Sequence, residues 1–148
     1  MPATPPLRAR VGLRLAQLGA LLHVVGGATD LSMTALQPFH EAFLEVGPGG
    51  APAPVAALIL ALLHALGAAL VAAGAAMWTL LTHHRRSGAR WAALVAAALA
   101  VGAEGMVGIQ MLGLGLHFGA IPAAIAGLVV VGVALMLLPR PGFVGDRG

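Results

Sequence analysis

The sequence predicts an all-α integral membrane protein: a bundle of four transmembrane helices, both termini cytoplasmic, with a short amphipathic interfacial helix in the first outer loop. Three observations carry this. Of 148 residues, 59% are hydrophobic and 9% charged, with a mean hydropathy of +0.95, whereas a soluble domain has roughly 25% charged residues. The apolar residues gather in four stretches, each close to or above the ~20 residues a helix needs to cross hydrocarbon. The arginines, finally, all fall on one side of those stretches.

Span one covers about 11–29, after Arg8 and Arg10 and with Arg14 in its first turn. Arg8 to Arg14, the apolar run Leu15–Val25 and Gly26-Gly27-Ala28 also have the outline of a cleaved secretory signal. Gln17, His23 and the length of the run argue for a retained span. The outer loop, 30–54, contains Pro38 to Val46, which reads as an amphipathic helix with Pro38 in its first turn and Gly47 as its stop. Phe39 and Phe43 share one face of it, suited to the outer headgroup layer. Gly47 to Pro52 is a flexible return.

Span two covers about 55–81. The basic loop that follows holds His83, His84, Arg85, Arg86 and Arg90, flanked by Trp78 and Trp91 at interfacial positions. Span three covers about 91–112, Gly113-Leu114-Gly115 turns the chain, and span four covers about 116–138. The tails 1–6 and 139–148 read as disordered. Short alternating barrel strands are absent. The whole is one membrane domain.

Orientation follows from charge. Arg8, Arg10, Arg14, Arg85, Arg86, Arg90, Arg140 and Arg147 belong to one side, while Asp30, Glu41 and Glu45 belong to the other. The positive-inside rule makes the arginine side cytoplasmic. Abundant Ala, Gly and Arg with no Lys suggests a GC-rich bacterial genome, hence a multi-pass protein of the inner cell membrane. The net charge of +3 does not mean nucleic acid, because the basic residues cap helices rather than cover a soluble face. The chain has no Cys, which excludes disulfides, thiolate metal sites and quinone-linked thiol chemistry.

Small residues four apart mark the helix faces expected to pack. They are Gly12, Ala16 and Ala20 in span one, and Ala61, Ala65, Ala69 and Ala73 in span two. Spans three and four have Ala92, Ala96 and Ala100, and Gly119, Ala123 and Gly127. Such faces would also permit a homodimer or a larger membrane complex, beside the lipid bilayer itself.

Three ionisable residues lie inside spans: His23, His64 and Glu104. Each shares its face with small residues, and counting from the outer ends puts each ~10–14 Å deep. They are expected to form one intramembrane cluster in the outer half. Asp30, His40, Glu41, Gln110 and His117 would line the mouth above it. A buried His is also a common packing residue, bonded to a carbonyl. Glu104 is harder to explain that way, because a carboxyl in hydrocarbon costs several kcal/mol unless paired or protonated.

Three functions fit. The cluster binds or transports a small molecule, divalent metal or proton, with His23, His64 and Glu104 as the candidate metal ligands. Alternatively, His23 and His64 ligate a haem b, or a His/Glu pair acts on lipid. Or the chain is a structural or accessory subunit. No motif singles out a reaction, so the sequence leans away from an enzyme.

Overall fold

The computed structural model describes residues 5–43 and 50–138, and these contain helices and turns but no strand. Helix α1 is Leu7–Ser32, α2 is Pro38–Phe43 and α3 is Ala53–Ser87. The third pass is composite: α4 (Arg90–Ala100), a π-helical turn (Val101–Gly105) and α5 (Met106–Gly113). The fourth begins with a 3-10 turn, His117–Gly119, and continues as α6, Ala120–Leu137. Four helical segments are long and apolar enough to cross a membrane, and the shortest has 21 residues, ~31 Å of rise. The tails at 1–4 and 139–148, loop residues 44–49 and the side chains of Phe39 and Phe43 lie outside the described residues, and with them the expectations placed there.

Helix ends follow local chemistry. α3 continues through His83, His84, Arg85 and Arg86, all compatible with a helix, and stops at Gly88. That residue has φ 72° and its N–H bonds the His84 carbonyl, a left-handed cap that glycine adopts without steric cost. At the other end Pro52 is the N-cap and a proline occupies the first turn. In α2 the Gln37 N–H donates to His40 Nδ1 at 3.1 Å, a side chain reaching back to cap the first turn as in a capping box.

The core is small. Ala16, Ala20, Ala93, Ala96, Ala100 and Ala126 are buried together with Met77, Leu81, Val129 and Val133. Alanine at so many contacts draws backbones close, which is how helices associate where lipid is as apolar as leucine. α1 is central, against α3 on one side and α6 on the other. Reciprocal glycines set both crossings. A Cβ on Gly132 would stand 2.5 Å from the Gly12 carbonyl, and one on Gly67 would stand 2.6 Å from the Gly27 carbonyl.

The expected stripes of spans one and three are buried: Gly12, Ala16 and Ala20, and Ala92, Ala96 and Ala100. That of span two is corrected, and that of span four only at Gly127, since Gly119 and Ala123 pack against Gly108 of α5. Ala61, Ala65 and Ala69 face outward and Ala73 is half-buried, while α3 packs through Gly67, Leu70, Gly74, Met77 and Leu81. In the fourth pass Gly119 is buried and Ala123 half-buried, but nothing lies within 4 Å of a Cβ on Gly127. α6 packs through Ala126, Val129, Gly132 and Val133. Both helices are apolar around their whole circumference, so small residues recur on faces other than the buried one.

The described arginines gather at one end. Arg8 donates to the Leu138 carbonyl at 3.0 Å and Arg90 to the Leu137 carbonyl at 3.3 Å. Two cations from different helices thus satisfy the last carbonyls of α6, where the helix dipole favours positive charge. Asp30 ends α1 at the opposite end, with Glu41 in α2.

Candidate functional site

His23 is fully buried on the small-residue face of α1. Its Nδ1 lies 2.8 Å from the Gly19 carbonyl. A carbonyl only accepts, so Nδ1 carries the proton and a neutral ring keeps a lone pair at Nε2. The Ala100 carbonyl also lies beside the ring, without a well-formed hydrogen bond.

Glu104 comes to His23 from the π turn. There Met106 N–H bonds the Val101 carbonyl, five residues back rather than four, and the helix takes in one extra residue. Such turns re-aim the side chains that follow and are frequent at functional sites. Val-Gly-Ala-Glu-Gly makes this easy, with open space around Gly102 and only ordinary contacts around Gly105, the nearest being Ala126 at 3.5 Å. Glu104 is 4% exposed. Its Oε2 is 3.9 Å from His23 Nε2, and neither atom has a hydrogen-bond partner among the described residues.

Two buried acceptors facing one another need a proton between them. Neutral imidazole with carboxylic acid, or imidazolium with carboxylate, satisfies both, and each form is neutral overall. Two acceptors without a proton would leave a bare carboxylate in an apolar interior, and a second proton would leave a bare cation. One proton on the pair therefore leaves no net charge in the apolar interior.

Glu104 lines a cavity of about 560 Å³ at the arginine-free end. α1 contributes Gly26 and Asp30, Met33 just past its end adds a third residue, and α3 contributes Leu63, Leu66 and Leu70. Glu104, Val107 and Met111 come from the third pass, and Phe118, Ile121 and Ile125 from the fourth. His40 of α2 stands at the rim. The walls are apolar, the acids are Glu104 and Asp30, and no arginine lines the cavity. Glu104 Oε1 lies 3.7 Å from where a Gly26 Cβ would be, so glycine there leaves the carboxyl open to the cavity. Burial holds the His40 imidazole below its ordinary range, with Asp30 nearby acting in the opposite direction.

Of the three expected cluster members, the structure brings His23 and Glu104 together and places His64 elsewhere. His64 Nε2 lies 2.8 Å from the Met33 carbonyl, tying α3 to the chain just beyond α1, and it does not line the cavity. Met33 has left the helix, so its carbonyl has no partner within α1, and the imidazole supplies one. Asp30 and His40 are at the cavity as expected of mouth residues. Glu41 is half-buried in α2, and Gln110 and His117 are exposed; none of these three lines it.

The geometry does not suit bis-histidine haem, because His23 Nε2 faces Glu104 and His64 Nε2 faces a carbonyl. Among the described residues no three His, Asp or Glu side chains gather as metal ligands. The sequence reading missed the π turn and the cavity wall, although glycines on both sides of Glu104 signal an irregular helix. Compared with protein-family models, curated proteins and solved structures, the chain matches none of them.

Proposed function

We propose that the chain is a four-span protein of the inner cell membrane, arginine end in the cytoplasm, that binds and exchanges a small apolar cation against a proton. The observation that carries this is the buried Glu104–His23 pair, whose facing Oε2 and Nε2 have no hydrogen-bond partner among the described residues, at the foot of a cavity with acids and no arginine. A ligand with an apolar body and a positive group fills such a cavity. Its charge replaces the proton of the pair, so the site stays neutral whether full or empty.

The cavity belongs to the arginine-free end, so loading from outside is the simplest route. Beyond Glu104 toward the arginine end the packed alanine core begins, and passage through the membrane requires α1 and the third pass to separate there. The outward Ala61, Ala65 and Ala69 of α3 support a second reading, in which a helix of another copy or subunit packs on that face.

The test uses tetraphenylphosphonium, an apolar cation, with the full chain in detergent and equilibrium dialysis as readout. Binding is expected for the wild type and a loss of at least about tenfold for Glu104→Gln, which keeps shape and removes the charge. Equal binding by both proteins contradicts the proposal.

A further inference from the structure

The arginine end holds a second cavity of about 350 Å³, between the first turns of α1 and the last turns of α3, with Met136 of α6 behind it. Arg10, Arg14 and Gln17 reach it from α1, and His84 and Arg85 from α3. Residues four and then three apart share one helix face, so the α1 groups form a line running into the bundle. The described ion pair is His23 with Glu104, and no carboxylate among the described residues pairs with the three arginines.

Gln17 is the second, independent observation. It is 9% exposed, and its amide has no hydrogen-bond partner among the described residues. A primary amide on a side chain so largely buried has little water to bond and is favoured by a ligand that hydrogen-bonds it. This one opens onto a space whose other polar groups are mainly guanidinium donors. The missing partner is therefore an acceptor-rich anion.

We infer that this cavity binds a phosphate-bearing anion, and that the anion is the headgroup of an anionic phospholipid. The phosphate lies among Arg10, Arg14 and Arg85, each able to give paired hydrogen bonds. Gln17 lies three residues beyond Arg14 along α1, ~4.5 Å deeper. That depth matches the glycerol ester carbonyls of a lipid, with Leu13 and Met136 against its first methylenes. Basic pockets between membrane helices on the cytoplasmic side are a known means of holding such headgroups.

Native mass spectrometry of the full chain in detergent tests this with phosphatidylglycerol and phosphatidylcholine of equal chain length. One phosphatidylglycerol should be retained in preference to phosphatidylcholine. The double change Arg14→Gln with Arg85→Gln should weaken it about tenfold or more, and Gln17→Leu several-fold. Arg86→Gln removes one positive charge outside the cavity and should have little effect. Size-exclusion profiles and thermal transitions check that each variant is folded. Displacement of the lipid by millimolar inorganic phosphate would keep the anion site and assign it to the free ion. Equal retention of the two lipids, or a loss for Arg86→Gln as large as for the double change, overturns the proposal.

Discussion

A histidine and a glutamate 3.9 Å apart each have a buried atom that faces the other and has no hydrogen-bond partner among the described residues. Removing one partner leaves the other buried and unpaired, at a cost of about 1–3 kcal/mol. His23→Leu should therefore lower the thermal stability of the detergent-solubilised protein. Adding Glu104→Leu should restore part of the loss, because both unsatisfied groups are then gone. Additive losses on thermal melting would show that the two side chains do not interact. The rim histidine responds to pH in a definite sense. Burial holds His40 below its ordinary value of 6.5, so the folded loop binds fewer protons than the unfolded one. Its contribution is complete above that value and is lost as pH falls through the lowered one. Protonating Nδ1 also removes the acceptor that the Gln37 N–H uses. Exchange of the Gln37 amide, corrected for its intrinsic rate, should therefore accelerate as pH falls from about 7 to about 5. A constant protection factor would separate His40 from the loop's order.

At the scale of helices, the glycines divide into those that permit contact and those that do not. Gly27 and Gly67 face one another's carbonyls, so Gly67→Ala forces α1 and α3 apart and should cost about 1–3 kcal/mol. Gly127 has open space, and Gly127→Ala should stay within about 0.5 kcal/mol. Equal shifts in melting temperature would contradict the crossing geometry. The π turn makes a separate prediction. Deleting Gly102 removes the extra residue and turns Glu104 by about 100° relative to α4. Binding of tetraphenylphosphonium should be lost while the helical circular dichroism signal persists. The existence of these helices is legible in the sequence, because hydropathy reports length and charge reports the ends. Their buried faces are less so. α1 and α4 have one small-residue face each that packs, and both were readable. α3 and α6 offer lipid and protein equally apolar surfaces, so Ala61 and Gly127 look as suitable as Gly74 and Gly132 until the partner helices are in place. His64 was legible as a polar group within a span. The Met33 carbonyl that engages it, 31 residues away along the chain, was not.

Among the described residues, arginines and acids separate along the bundle axis, each end with its own cavity. One end carries the arginines, the capped carbonyls of α6 and the cavity with Gln17; the other carries the acids and the apolar cavity above Glu104. Segregation of this kind supports the arginine end as cytoplasmic. A reporter inserted at Gly50 should accordingly be active outside the cell and one fused after Gly148 inside it, and a cytoplasmic signal from the Gly50 insertion would reverse the axis. Along that axis His23 and Glu104 are one unit because α1 and the π turn meet there, and the cavity makes the unit reachable. The most direct measurement of the central claim counts protons. Tetraphenylphosphonium is added to the purified protein in weakly buffered detergent solution near pH 7, and the proton released is titrated against the cation bound. Exchange at the pair predicts about one proton released per cation bound in the wild type, and none for Glu104→Gln. Cation binding without proton release in the wild type, or equal release from Glu104→Gln, would contradict it.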